Sequence, residues 1–151
     1  MPADQQPTRW LCVDHGAVRT GLALGNSADG IASPLEVLSA GGMAAAEAIV
    51  RAARDWGVDG IVVGLPLNMD QTEGPQAKLA RELAAELARR SGLDVRLWDE
   101  RLSSFQADQR IAGKYTRKER RKRQDAVAAA TILEDFFAAD GPRTAPGVLR
   151  K

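Results

Sequence analysis

Trp10-Leu11-Cys12-Val13-Asp14 and Gly60-Ile61-Val62-Val63-Gly64 are the two stretches that decide the fold. Each is a short apolar run. The first ends on an acid with Gly16 just beyond it, and the second lies between glycines. Runs of this length, bounded in this way, predict buried strands, and the second predicts one covered on both faces. Thr20-Gly21-Leu22-Ala23-Leu24 follows the first run closely enough to return as a hairpin. Residues 31–38 form a third extended piece, interrupted by Pro34, and Gly41-Gly42 breaks the chain.

Helical spacing takes over from there. Residues 43–56 are Ala-rich, with Ile49, Val50 and Ala53 on one side and Gly57 as the stop. After the strand at 60–64 and a loop containing Pro66, Asn68 and Asp70, Pro75 opens an amphipathic helix to Arg90. Its Leu79, Leu83 and Leu87 recur every fourth residue. Val95-Arg96-Leu97-Trp98 predicts another strand, running out on Asp99-Glu100. Ser103 or Ser104 caps a helix to about Ala112. A last helix covers 124–137, with Val127, Ala130, Leu133 and Phe137 at helical spacing. A strand meander followed by strand–helix–strand crossovers implies an α/β fold. Its mixed five-stranded sheet starts with an antiparallel meander and carries helices on both faces. The expected division is a flexible tail over 1–8, one domain over 9–139, and a loose C-terminal tail over 140–151, which holds two Pro and two Gly.

Bulk properties narrow the function. The chain has 151 residues, a 44% hydrophobic share and a net charge of +1, which fit one globular domain with a real core. A single cysteine, Cys12, excludes an internal disulfide and a thiolate metal cluster, and a single histidine, His15, excludes a multi-histidine metal site. No apolar run is long enough to cross a bilayer, and the polar start lacks the apolar core of a signal peptide. These features predict a cytoplasmic protein with no membrane partner. Charge is unevenly distributed: residues 101–123 hold nine Lys or Arg against two acids, so one side of the molecule should be basic.

The acids stand where strands and helices end. Asp14 ends the first strand, Asp99 and Glu100 end the last, and Asp125 opens the final helix. Parallel crossovers bring the ends of such strands to one sheet edge, where ligands of open α/β sheets gather. Asp125 would approach from the helix packed above. Carboxylates gathered without cations repel one another, and a hard divalent ion such as Mg²⁺ or Mn²⁺ is the usual reason for tolerating this. Two such ions can flank a phosphodiester. The alternatives are plain: Asp14 as a turn residue, Asp99-Glu100-Arg101 as a surface ion-pair cluster, and Asp125 as an acid favoured by the helix dipole.

Five pieces in this order resemble the YqgF-type, RuvX-like family. They are Val13-Asp14-His15-Gly16-Ala17-Val18-Arg19-Thr20-Gly21, Ile31-Ala32-Ser33-Pro34-Leu35, the run 61–70 with Gly64-Leu65-Pro66-Leu67-Asn68, Asp99-Glu100-Arg101-Leu102, and Asp125-Ala126-Val127-Ala128-Ala129. The resemblance spans about 10–137. It implies a ribonuclease H-like fold and nuclease activity, with links to maturation of the small-subunit ribosomal RNA 5′ end and to Holliday-junction resolution. It also implies that Asp14 and Asp125 are the first and last metal-binding acids. The middle acid falls in Asp99-Glu100-Arg101, with Glu100 favoured as ligand and Asp99 as its support or substitute. Gln71 stands where many relatives have Gly, and Ser103-Ser104 where they often have Thr.

The substrate side follows from charge. Lys114, Arg117, Lys118, Arg120, Arg121, Lys122 and Arg123 lie just before Asp125 and suit a phosphate backbone; a solvated connection has the same composition. Arg19 and Arg101 could contact phosphate or pair with an acid. Asn68 and Asp70, on the loop after the 60–64 strand, suit substrate or water positioning, or a simple turn. The expected partner is RNA or DNA. Junction resolution would also require a symmetric homodimer, because two strands must be cut. A non-catalytic RNA-binding assembly factor and an actin-like phosphotransferase are the rival readings, the second weakened by the presence of one domain only.

Overall fold

The structure is a computed structural model that describes residues 8–68, 70, 72–99 and 117–148, with the backbone alone at 117–125. The strands are β1 (Arg9–His15), β2 (Thr20–Asn26), β3 (Ile31–Leu38), β4 (Gly60–Leu65) and β5 (Asp94–Asp99). They form one sheet in the order β3-β2-β1-β4-β5. The first three make the expected antiparallel meander, and β4 and β5 run parallel to β1. A 3₁₀ turn (Gly42–Ala45) leads into α1 (Ala46–Asp55). The longer helices that follow are α2 (Pro75–Ser91) and α3 (Arg117–Ala138), with a short α4 (Gly141–Thr144) behind them. The capped helix expected at 103–112 lies outside the described residues.

Strand alternation sorts the core into two layers. Leu11 and Val13 of β1, Ile61, Val63 and Leu65 of β4, and Val95 and Leu97 of β5 join one cluster with α1 and α2. Trp10, Cys12 and Val62 face the other way, into a cluster with Ala129, Ala130, Leu133 and Phe136 of α3. Both faces of β1 and β4 are therefore covered, which is why those runs are continuously apolar. Phe136 is completely buried, edge-on to Trp10 (centroids 5.0 Å apart) and to Trp98 (5.7 Å).

β3 is an edge strand, and Pro34 sits where an edge tolerates it. Leu22 pairs with Glu36 but Ala23 pairs with Pro34, so Leu35 is the extra residue of a bulge.

Three expectations are corrected. Leu79 is 40% exposed, and the buried stripe of α2 runs through Ala77, Ala80, Leu83, Ala84 and Leu87 instead. A row repeating every fourth residue drifts around a helix of 3.6 residues per turn, so its end leaves the core. The last helix starts at Arg117 rather than 124, so residues 117–123 of the basic segment are its first turns. Arg and Lys are good helix formers even without an apolar stripe. Residues 141–148 are not a loose tail. After α4, Leu97 N–H donates to the Pro146 carbonyl (3.1 Å) and Val148 N–H to the Val95 carbonyl (2.9 Å), an antiparallel strap on the outer edge of β5. Arg96 fastens it, donating to Asp94 Oδ1 and to the Ala145 carbonyl, each at 2.7 Å.

Truncating Phe136 to Ala should cost about 3–5 kcal/mol, because the surrounding aromatic rings cannot collapse into the space. Urea denaturation, with the midpoint falling at unchanged slope, measures this.

Candidate active site

β1 is the central strand, and its last residues define the site. Asp14 has the parity of Trp10 and Cys12, so it belongs to the α3 face of the sheet. His15 has the parity of Leu11 and Val13 and belongs to the α1–α2 face. In the sheet row of Asp14, the antiparallel neighbour on β2 is Gly21. The parallel neighbour on β4, one step beyond the Val13–Val63 pair, is Gly64. Neither carries a side chain beyond Cα, so no side chain of an adjacent strand stands beside the half-buried Asp14 in that row.

Asp99 ends β5 at the same sheet edge, paired with Leu65 at the end of β4. The structure thus brings Asp14 and Asp99 to one edge, with β4 between them. Their faces differ: Asp99 has the parity of Val95 and Leu97, on the α1–α2 side. The α3 side of β5 is occupied by Trp98, packed against the Phe136 cluster. Its buried indole N–H has no hydrogen-bond partner among the described residues.

The backbone of Asp125 lies in α3, one helical turn before the buried Ala129. Phe136, near the other end of α3, touches Trp10 at the start of β1, so the helix runs back along the strand toward Asp14. Glu100, Arg101 and Lys114, and the side chains of Arg117, Lys118, Arg120, Arg121, Lys122, Arg123 and Asp125, lie outside the described residues. Among the described residues no three metal-ligating side chains come together. The donor set named from sequence is all carboxylate oxygen, the chemistry that Mg²⁺ and Mn²⁺ prefer, and the glycine-flanked row around Asp14 suits a small, partly hydrated ion.

Arg19 is half-buried in the turn between β1 and β2, on the edge that carries Asp14. Asn68 and Asp70 organise their own loop. Asn68 Nδ2 donates to Thr72 Oγ1 (3.0 Å), while Thr72 donates to Asp70 Oδ1 through its N–H (3.0 Å) and its hydroxyl (2.5 Å). These bonds hold the Asp70 carboxyl below the usual carboxylate range. At the end of the same loop Glu73 accepts a two-pronged contact from Arg81, which lowers its pKa likewise. The loop is therefore a built turn, and Asn68 and Asp70 both hold its shape.

Three features were not legible from sequence. Gly21 and Gly64 flank Asp14, and only strand register reveals it. The third is His15, which is 6% exposed and has no hydrogen-bond partner for Nδ1 or Nε2 among the described residues.

Comparison with known proteins agrees with this architecture. The structure matches Thermus thermophilus RuvC in complex with a Holliday junction substrate at a TM-score of 0.56. The match has 16% identity and covers 93% of this chain and 99% of that one. A second RuvC structure from the same organism gives 0.53 at 17% identity. The fold is therefore ribonuclease H-like. In sequence, residues 8–139 match the family model RuvX, described as Holliday junction resolvase. A protein of Anaeromyxobacter sp. (strain Fw109-5) named "Putative pre-16S rRNA nuclease" is 46% identical over 131 residues, covering 85% of this chain and 96% of its own. One of the same name from Edwardsiella ictaluri is 40% identical over 133 residues, covering 87% and 95%. The chain belongs to the RuvX family and is a nuclease.

Burial lowers the pKa of His15, so the folded protein resists its protonation. The unfolded chain takes up that proton near the ordinary value of about 6.5. This contribution to stability is complete above pH 6.5 and is lost as pH falls below it. In EDTA, urea midpoints should drop more steeply between about pH 7 and 5 for wild type than for His15→Gln.

Proposed function

We propose that this nuclease cuts structured RNA in the cytoplasm, at the 5′ end of pre-16S ribosomal RNA, with Asp14, Glu100 and Asp125 holding one or two Mg²⁺ or Mn²⁺ ions. The observation that carries the site is the parity of β1 and β5. Asp14 falls on the sheet face covered by α3, the helix that contains Asp125. Asp99 falls on the opposite face. In an alternating strand this favours Glu100 over Asp99 as the acid of that pair to work beside Asp14. The substrate choice is supported by relatives at 40–46% identity over nearly their whole length.

The roles divide by charge. The three carboxylates would hold a divalent ion, which would supply activation of water and offset phosphate charge, while Arg19 grips the backbone from the β1–β2 turn. Residues 114–123, continuous with α3 from Arg117, hold the flanking phosphates, with Arg101 and Asn68 as further contacts. A second reading, cutting of Holliday-junction DNA by a homodimer, is favoured by the description of the matching family model. Binding without cutting would mark an RNA-binding assembly factor.

The test offers matched structured RNA, single-stranded DNA and four-way junctions with Mg²⁺, Mn²⁺ or EDTA. Asp14→Asn and Glu100→Gln should each lower cleavage roughly a hundredfold or more, the scale of losing one charge-stabilising group, while Asp99→Asn keeps most of it. Preference for the junction would transfer the assignment to DNA. Failure of wild type on every substrate with either metal would end the nuclease reading.

Replacing Arg120 and Arg121 by Gln should weaken binding to all sequences alike. In a plot of log affinity against log salt for duplex DNA, the slope should flatten by up to about two, roughly one for each phosphate that is no longer neutralised.

A further inference from the structure

The turn between β1 and β2 is four residues long, and a segment far along the chain holds it. Thr20, completely buried at the start of β2, donates its hydroxyl to the Ala40 carbonyl at 2.8 Å. Gly41 lies so close to the carbonyl oxygens of Gly16 and Ala17 that a Cβ there would overlap both. Those atoms are backbone and cannot swing aside. Gly42 follows with φ of +57°, a conformation that glycine accepts most readily, and a Cβ on it would sit 3.7 Å from His15 Nε2. Within the turn the fit is equally close: a Cβ on Gly16 would stand 2.5 Å from the Arg19 carbonyl oxygen. Only the tip is open, where Val18 is 71% exposed.

This turn starts two residues after Asp14 and ends on Arg19. Resting on the nuclease reading, we propose that residues 40–42 clamp the β1–β2 turn, and that Gly41 is a positioning residue which sets where Asp14 and Arg19 meet a metal-bound phosphate. Backbone-to-backbone contact suits that task. A side-chain prop could change rotamer, whereas two main chains in contact leave no room for either to shift toward the other. A misplacement of about 1 Å at a reacting centre can cost a hundredfold in rate, so a site built on the end of a strand needs the following turn fixed. Gly41 is thus required for its lack of a side chain, and the bulged edge strand β3 delivers it to that place.

The test uses the full chain and compares Gly41→Ala with Gly60→Ala. A Cβ at Gly60 would strike the Trp10 ring at the opposite end of the sheet. That variant therefore controls for a general loss of stability. Thr20→Val, which removes only the bond to Ala40, is the milder variant should Gly41→Ala not fold. Three readouts are taken at matched distance from each variant's Tm: amide hydrogen exchange of residues 16–20, affinity for Mn²⁺ alone by calorimetry, and kcat and KM on structured RNA. Gly41→Ala should speed exchange in the turn, weaken Mn²⁺ about tenfold, as loss of support around metal ligands does, and lower kcat with KM little changed. Thr20→Val should follow in the same direction, and Gly60→Ala should do none of these. Unchanged exchange and affinity in both clamp variants, or equal shifts in Gly60→Ala, would overturn the clamp. If wild type neither cuts nor binds Mn²⁺, the nuclease reading fails, and the positioning role with it. The exchange comparison then decides separately whether the clamp exists.

Discussion

The structure depends on the two-residue alternation of a central strand buried on both faces. In β1, Leu11, Val13 and His15 go one way and Trp10, Cys12 and Asp14 the other. A slip of one residue would send Trp10 into the α1–α2 layer and Asp14 away from α3. The apolar content of each layer therefore fixes the face on which a charged group stands. Phe136, between Trp10 and Trp98, holds that register from the helix side. Packing at one end of the sheet and charge at the other are two consequences of the same alternation.

Much of this was legible because short apolar runs between glycines carry an unambiguous signal. The bounds of β3 appear in the sequence as 31–38, and the Asp14 and Asp99 strand ends share an edge as the crossovers implied. Other features gave no apolar signal. Residues 117–123 are helical without an apolar stripe, so periodicity could not find them. The strap along β5 is made by the main chain of 146–148, which hydrogen-bonds whatever its side chains. Leu79 misled because a single leucine at the right spacing says nothing about what lies opposite it.

The candidate site divides in the same way. Residue type and strand position were enough to bring Asp14 and Asp99 to one sheet edge. That Asp99 falls on the face opposite Asp14 is a matter of register, and register belongs to the sheet rather than to either strand. The spaces around Asp14 were equally invisible, since glycines at 21, 41 and 64 look in sequence like ordinary punctuation. In the fold, two of them put no side chain beside Asp14 in its row and the third lets two backbones touch. Beyond β4, Asn68, Asp70 and Thr72 bond to one another, so polar residues that suit substrate contact also hold each other in place.

The strap and the bulge have a joint effect on how molecules of this protein can meet. One border of the sheet is taken by the chain's own residues 146–148, and the other is β3, which a proline and a bulge make a poor template for a new strand. A sheet finished in this way cannot be lengthened easily by a neighbour. Crowded or partly heated solutions should therefore resist the edge-to-edge growth that turns soluble α/β domains into fibres, and helices and loops offer a paired form the easier surfaces.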